Sequence, residues 1–204
     1  LADLPGIVRV IRSTHPEAII CVDNTLLGPI FQKVIPLGVD LSLFSATKSI
    51  GGHSYLIAGL VMGKSSLVHQ LKGTRTIGGA IISPHSASLL TRSIETLKVR
   101  VEAAEAKAKK VYSFLDRHEK VRQVLYPGFG NNQEQLRRFE EQCTGHGSLM
   151  SFRIDGGQDA AYKLLNALKV VKLAVSLGST ESLAEHPRTH THADVSLEDQ
   201  DKFG

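Results

Sequence analysis

Residues 45–54, SATKSIGGHS, combine the side chains and the backbone freedom that covalent cofactor chemistry requires. Lys48 is flanked by the hydroxyls of Ser45 and Thr47 and is followed by a glycine pair. A lysine that forms a Schiff base must be held beside an aldehyde with its amine partly neutral. The two hydroxyls can donate to a phosphate, and glycines let the backbone pass close to a ligand. The segment therefore predicts a lysine that bonds an aldehyde cofactor carrying a phosphate.

Asp23, in the sequence VDNT, stands directly after the apolar run AIICV at 18–22. A carboxylate fixed at a strand end can pair with a protonated pyridine nitrogen and keep an electron-accepting ring cationic. The separation between Asp23 and Lys48 suffices for a strand, helix, strand excursion that brings both residues to one edge of a sheet. An isolated Asp at such a position more often caps the following helix. The partnership with Lys48 favours the cofactor role.

Three short apolar runs supply the strands that must position these side chains. They are AIICV at 18–22, LSLFS at 41–45 and LIAGLVM at 56–62, each with the length and continuity typical of a buried strand. Turn-forming residues separate them. The pattern predicts an α/β sheet with Asp23 and Lys48 at strand ends, which is where open sheets bind ligands.

The second half of the chain predicts a long helix followed by an α+β arrangement. Apolar residues recur at helical spacing from about residue 86 to residue 118, with Glu and Lys on the other faces. This indicates one long helix with at most one break. VRQVLYPGFG, SLMSFRI and DAAYKLLNALKVV then predict a strand, a strand and a helix. We expect residues 1–95 to form part of a large domain and residues 96–204 an incomplete small domain.

Composition disfavours several classes of protein. The 204 residues are 42% apolar and 22% charged, as in a folded globular chain, and no run approaches the roughly 20 apolar residues of a membrane helix. Dispersed basic residues and only 5% aromatic residues disfavour nucleic-acid binding. Cys21 and Cys143 match no disulfide or metal spacing, which favours a cytoplasmic location. His186, His190 and His192 lie in a polar stretch, and we predict no metal site there.

Four motifs resemble the Cys/Met-metabolism family of pyridoxal 5′-phosphate (PLP) enzymes. In chain order they are VDNT, SATKSIGGHS, ISPHSASLLTRSIETLKVRV, and AVSLGSTESLAEHP with the following THADV. Each motif is weak alone, but their order and spacing are specific, and the resemblance covers essentially all 204 residues. The family includes cystathionine and methionine γ-lyases, cystathionine γ-synthase and the O-acylhomoserine sulfhydrylases. The resemblance implies PLP as cofactor and the aspartate-aminotransferase-like fold, fold type I of PLP-dependent transferases.

The resemblance also implies roles for individual residues. Lys48 matches the lysine that bears PLP, Asp23 matches the partner of the pyridine nitrogen, and Ser45 and Thr47 match the phosphate ligands. Ser176, in AVSLG, matches a position near the substrate carboxylate. Active sites of the family are shared between subunits, so we expect a homo-oligomer built as a dimer of dimers, a homotetramer.

The sequence departs from the family pattern near these positions. Tyr55 stands where relatives usually carry an acidic residue after GGHS, and Ser179 stands where a second glycine is usual after SLG. The chain also resembles a fragment, since it starts at Leu1 and ends at Gly204. The family's N-terminal half would supply an aromatic residue that stacks on the cofactor, and its C-terminal end an arginine for the substrate carboxylate. We therefore expect the 204 residues to hold an incomplete active site.

Three functions remain open from the sequence. SPH at 83–85 and TRSIETL at 91–97 are most similar to the methionine γ-lyase branch, which implies γ-elimination of methionine or cystathionine to a thiol, a 2-oxo acid and ammonia. A cystathionine γ-synthase or an O-acylhomoserine sulfhydrylase would share the cofactor site and replace the γ-substituent instead. A non-catalytic remnant of the same fold is the third possibility. Intact Lys48 and Asp23 argue against the remnant, and the missing ends argue for it.

Overall fold

The computed structural model describes residues 1–196 and 198–199, which form α-helices and short strands. The helices are α1 (Leu4–Thr14), α2 (Gly28–Phe31), α3 (Ser65–Gly78), α4 (Pro84–Glu95), α5 (Leu97–Leu115), α6 (Gln133–Gln142) and α7 (Gly157–Ala167). The strands are β1 (Cys21–Asp23), β2 (Leu41–Ser45), β3 (Gly59–Gly63), β4 (Val121–Leu125), β5 (Ser151–Ile154), β6 (Lys172–Leu173) and β7 (Leu183–Ala184). Short 3-10 turns occupy Ile35–Leu37 and Pro187–Thr189.

Strand β2 is the central strand of the sheet that carries the candidate site. It pairs in parallel with β1, with Asp23 opposite Leu43, and antiparallel with β3, with Ser45 opposite Gly59. Because β1 and β2 are parallel, their carboxyl ends lie at the same edge of the sheet. Asp23 and Ser45 therefore end neighbouring strands on one side of the molecule, as the sequence predicted.

The prediction that all three strands are buried is correct only for β2. The residues of β1 and β3 are all exposed or half-buried, and Ile19, just before β1, is 57% exposed. Within the described residues β1 and β3 are the outer strands, each with a neighbour on one side only. A continuous apolar run predicts a strand but cannot show whether both of its faces are covered.

The helix predicted at 86–118 is present as two helices, α4 and α5, that separate at Thr96. The Ser83 hydroxyl caps α4 by accepting the Ser86 amide hydrogen at 3.1 Å, and Pro84 occupies the first turn. The Thr96 N–H bonds to the Ser93 carbonyl at 3.3 Å. This contact spans three residues instead of four, so the last turn of α4 tightens and the helix axis breaks.

Two helices, α3 and α6, were not predicted from the sequence. Helix α3 buries none of its residues, and the only residue that α6 buries is Gln142. A helix that buries little apolar surface leaves a weak apolar pattern in the sequence, and α6 has only two apolar residues, Leu136 and Phe139. No helix in the described part of the chain has the length and apolar content needed to cross a membrane.

The main hydrophobic core lies under the turn that carries Lys48. It brings together residues of β2, the turn, α4 and α5, namely Phe44, Ala46, Ile50, Leu56, Leu90 and Leu97. Ala46 is completely buried and Ile50 is 4% exposed. Burying a large aliphatic or aromatic side chain contributes about 1.5–3 kcal/mol. The turn is therefore fixed to the core on both sides of Lys48.

A buried carboxylate, Asp40, joins α1 to the sheet. Its side chain is 6% exposed, accepts the Ile20 amide hydrogen at 2.9 Å, and pairs with Arg12 of α1 and with Lys64, whose Nζ lies at 2.6 Å. The hydrogen bond from the Ile20 N–H has the largest effect on the pKa of Asp40 and holds it well below its usual range. Lys64 and Arg12 lower this pKa further, whereas burial opposes them. Asp40 is therefore ionised throughout the neutral range.

Beyond α5, strands β4 and β5 form an antiparallel pair, and α7 follows β5, which is the predicted strand, strand, helix order with α6 inserted. An aromatic cluster packs between α5, β4 and α6, consisting of Tyr112, Tyr126, Phe129, Phe139 and His146. The Tyr126 hydroxyl donates to the Gly147 carbonyl at 2.6 Å. Burial, aided by Glu105, raises the pKa of Tyr126 above its usual value. Strands β6 and β7 form a short parallel pair.

Candidate active site

Lys48 lies in a compact turn at the carboxyl end of β2. The Lys48 N–H bonds to the Ser45 carbonyl at 3.1 Å, and the Gly51 N–H bonds to the Ala46 carbonyl at 2.7 Å. The Gly52 N–H returns to the Lys48 carbonyl at 2.8 Å. These bonds fix the backbone around a half-buried lysine. Within the described residues the Lys48 amine takes part in no ion pair, so it remains available to a ligand.

Thr25 links Asp23 to the end of the neighbouring strand. The N–H and hydroxyl of Thr25 donate to Oδ1 of Asp23 at 3.0 and 2.6 Å. The Thr25 Oγ1 in turn accepts the Ser45 N–H at 2.8 Å. Among the described residues no hydrogen bond reaches Oδ2 of the exposed Asp23, so this oxygen can accept a further one. The Thr25 link places it beside Ser45, where the lysine turn begins. Sequence reasoning paired Asp23 with Lys48 but missed Thr25, although Asp followed two residues later by Thr is a common turn pattern.

The Thr47 hydroxyl is held against the chain that returns from the turn to β3. It accepts the Ala58 N–H at 3.0 Å, while its separation from the Ala58 carbonyl is 3.5 Å. The second distance is long for an O–H···O hydrogen bond, so the hydroxyl hydrogen can turn to a ligand oxygen. Thr47 therefore retains a donor for the phosphate role that was predicted for it.

The loop that contains Ser176 approaches the lysine turn through Gly178. Gly178 has φ +79°, and a Cβ there would lie 2.3 Å from the Ser49 amide nitrogen and 2.8 Å from the Lys48 carbonyl carbon. Only glycine allows the two backbones to come this close in this conformation. The exposed Ser176 is thus brought to the side of the molecule that carries Lys48, two residues before this contact.

Tyr55, at the position where the resemblance implies an acidic residue, points toward helix α4. Its hydroxyl bonds to the Ser93 hydroxyl and lies 3.4 Å from the Leu89 carbonyl, and its ring stacks on His53 with centroids 5.1 Å apart. The polar contact at this position is therefore made with a neutral serine.

Arg100, in the first turn of α5, is a residue of the site that sequence reasoning missed. Its guanidinium donates to the Ser49 carbonyl at 2.8 Å and to the Ile50 carbonyl at 3.1 Å. Both acceptors belong to the two residues that follow Lys48. These two partners are backbone carbonyls, and no residue type in the sequence marks a backbone carbonyl as the partner of a basic side chain.

The side chains at this sheet edge fit the donor set that PLP requires. The cofactor needs a lysine for its aldehyde, an anion for its ring nitrogen and hydrogen-bond donors for its phosphate. Lys48, the free Oδ2 of Asp23, and the hydroxyls of Ser45 and Thr47 supply these groups from two adjacent strand ends.

Comparisons with known proteins give a consistent result. The model of the family described as Cys/Met metabolism PLP-dependent enzymes matches residues 1–204. L-methionine gamma-lyase of Fusobacterium nucleatum is 36% identical over 206 positions, which cover 100% of this chain and 52% of that enzyme. Chloroplastic cystathionine gamma-synthase 1 of Nicotiana tabacum is 36% identical over 187 positions, which cover 92% of this chain and 34% of that protein.

Two solved structures superpose closely on the whole chain. Cystathionine gamma-lyase from Lactobacillus plantarum, complexed with L-serine, gives a TM-score of 0.91 at 32% identity, over 100% of this chain and 53% of that one. Cystathionine gamma synthase from Xanthomonas oryzae pv. oryzae gives 0.92 at 34% identity, over 100% of this chain and 52% of that one. The chain spans about half the length of these proteins.

Proposed function

Because the chain belongs to the Cys/Met metabolism family of PLP-dependent enzymes, we propose that the complete protein is a carbon–sulfur lyase that acts on methionine or cystathionine. The family, fold and cofactor predicted from the sequence are confirmed by the family match and the structural similarity. The choice of γ-elimination is supported by the similarity to methionine gamma-lyases along the whole chain. It is also supported by the SPH and TRSIETL motifs.

The observation that carries the proposal is the hydrogen-bonded connection from Asp23 through Thr25 to Ser45, where the lysine turn begins. It fixes the carboxylate and the lysine segment relative to each other through two strand ends. A catalytic constellation needs such fixed geometry, since a displacement of about 1 Å can cost a factor of about 100 in rate. This fixed geometry supports a catalytic site over a remnant without activity.

Each residue of the site has a defined task in this proposal. PLP, when bound, supplies the electron sink that stabilises negative charge at the substrate Cα. The Lys48 amine would hold the cofactor aldehyde and would move the proton at the substrate Cα. Asp23 would hold the proton on the pyridine nitrogen through Oδ2. Ser45 and Thr47 would hold the phosphate, and Ser176 would lie on the substrate carboxylate side.

The remaining parts of the proposal concern the complete protein. Residues 1–95 would belong to the large cofactor-binding domain and residues 96–204 to the small domain. We propose a homo-oligomer, a dimer of dimers, in which a second subunit completes each site. A cytoplasmic location stays a prediction from the sequence.

The cofactor site can be tested by labelling. The complete protein is loaded with PLP, its visible spectrum is recorded before and after borohydride reduction, and the labelled peptide is mapped. We expect the label on Lys48, loss of labelling and turnover in Lys48→Ala, and unchanged labelling in Lys110→Ala, a substitution of an exposed lysine on α5. A protein that binds no PLP would support the remnant instead.

Substrate assays separate the lyase from its alternative. A γ-lyase converts L-methionine and water into methanethiol, 2-oxobutanoate and ammonia without a second substrate. A γ-synthase joins an O-acylhomoserine to cysteine and releases the acyl group as a carboxylate. The synthase remains the alternative because the chain is also similar to the Xanthomonas and tobacco synthases. Formation of 2-oxobutanoate from methionine alone supports the proposal, whereas cystathionine formation without methionine cleavage would replace it with the synthase.

A further inference from the structure

Arg100 caps the carbonyl end of the lysine turn. It makes four hydrogen bonds, two of them to the Ser49 and Ile50 carbonyls. The other two go to the Ser93 carbonyl at 2.8 Å and to the Thr96 hydroxyl at 3.1 Å. One rigid planar group thus joins the turn to the break between α4 and α5, with donors in a fixed fork geometry.

All four acceptors of Arg100 are neutral oxygens. Within the described residues no carboxylate forms an ion pair with this guanidinium. Burial lowers the pKa of Arg100, and the nearby Tyr55 opposes this effect. A partly buried cation without a counter-ion is costly unless its hydrogen bonds are satisfied. A charged donor forms stronger hydrogen bonds than a neutral one, so the Arg100 guanidinium can hold these carbonyls more firmly than a neutral side chain could.

The glycine after the turn leaves the space that the guanidinium occupies. Gly52 has φ +71°, and a Cβ there would lie 1.9 Å from Nη1 of Arg100. Gly178 brings its backbone against the Lys48–Ser49 peptide. Ser49 is therefore held by a second backbone at its amide and by a charged donor at its carbonyl.

From this geometry we propose that Arg100 is a positioning residue for Lys48. It holds the Ser49 and Ile50 carbonyls and thereby fixes the direction in which the Lys48 side chain leaves the turn. The inference rests on the proposed role of Lys48 in bearing the cofactor and moving the substrate proton. It assigns to α5 a direct part in the orientation of that lysine.

Amide hydrogen exchange measures how stably the turn around Lys48 is closed, and it requires no cofactor. In Arg100→Met the Gly51 and Gly52 amides, which close the turn on the Ala46 and Lys48 carbonyls, should exchange at least tenfold faster than in the unchanged protein. The matched control is Arg117→Met, which removes the same charge from an exposed position just after α5. Equal protection in both variants would overturn the inference.

Kinetics of the loaded enzyme separate positioning from general stability. We expect Arg100→Met to lower kcat by a factor of about 10 to 100 with KM nearly unchanged, because a misplaced lysine slows proton transfer. The isotope effect with substrate deuterated at Cα should increase, and Arg100→Lys should recover part of kcat. An isotope effect that stays at its original value would assign Arg100 a structural role only.

The outcomes also separate this inference from the proposed function. If the unchanged protein carries PLP on Lys48 and Arg100→Met matches it in hydrogen exchange and isotope effect, the inference alone fails. If the unchanged protein carries no label on Lys48, the proposed function fails, and exchange at the glycine amides still measures whether Arg100 holds the turn. If Arg100→Met does not fold, Arg100→Lys is compared with the unchanged protein. A lower kcat with an increased isotope effect supports the inference, and an unchanged isotope effect overturns it.

Discussion

Replacing Asp40 by Asn should destabilise the protein by about 2 kcal/mol. The carboxylate accepts one backbone hydrogen bond, from Ile20, and pairs with Arg12 and Lys64. A hydrogen bond to a charged acceptor is worth about 1.5–3 kcal/mol and a neutral one about 0.5–1.5 kcal/mol. Asn keeps an acceptor for Ile20, so that bond weakens by about 1 kcal/mol.

The loss of the two ion pairs supplies the rest of this destabilisation. The side chains of Arg12 and Lys64 are 31% and 64% exposed, so both can regain water when Asp40 is neutralised. Their loss therefore costs far less than the 3–5 kcal/mol of a fully buried broken pair, and about 1 kcal/mol is reasonable. The Lys64→Met variant, which removes the more exposed partner, should cost less than about 1 kcal/mol.

The assay is urea unfolding of the unchanged protein and of Asp40→Asn at several pH values. The folded-state pKa of Asp40 is depressed, so its contribution is complete above the unfolded-state pKa, near 4, and is lost as pH falls through the folded-state value. The difference between unchanged protein and Asp40→Asn should be constant from pH 6 to 8 and should shrink below about pH 4. A difference under about 0.5 kcal/mol at pH 7, or one that does not shrink in acid, would refute the reasoning.

Three further predictions follow from single residues. Ser42 is 2% exposed and its hydroxyl has no hydrogen-bond partner among the described residues, so Ser42→Ala should leave the unfolding free energy unchanged or raise it by up to about 1 kcal/mol in urea titrations. Burial raises the pKa of Cys143 to about 11, so at pH 8 a thiol reagent should modify the exposed Cys21 much faster than Cys143. Mass spectrometry follows the two modifications, and equal rates would contradict this prediction. Gly178→Ala would press a methyl group against the Ser49 amide in a left-handed conformation, so PLP affinity should fall at least tenfold in a fluorescence titration, and an unchanged affinity would remove this contact from the site.

The sequence predicted those elements whose burial produces a clear apolar pattern. Strand β2 was predicted with the bounds that it has, because it is the central strand and its run LSLFS is continuous. The single break in the long helix was allowed for, but its place at Thr96 depends on a local hydrogen bond. Helix α3 was missed because it buries none of its residues. The prediction that β1 and β3 are buried was wrong, because the position of a strand within its sheet depends on the tertiary structure.

The candidate site was predictable to the extent that side chains carry its chemistry. Lys48 and Asp23 could be paired because parallel strands bring their carboxyl ends together. Arg100 could not be found in this way, since it acts on backbone carbonyls that any sequence possesses. The approach of Gly178 to Ser49 likewise depends on two backbones from distant parts of the chain.

The antiparallel pairing of β2 with β3 makes the lysine segment a closed loop. Ser45 lies opposite Gly59, so residues 46–58 begin and end at one rung of the ladder, and the Thr47 contact with Ala58 adds a second tie. The β2–β3 contacts offset the entropy lost in closing this loop. These contacts are near in sequence, so they also form rapidly. Closure entropy grows only with the logarithm of loop length, at about 0.6 kcal/mol for a doubling. The loop can therefore accept insertions at its exposed tip near residues 53–55 while Lys48 keeps its place. Related proteins could differ in the length of this loop and still hold the lysine in position.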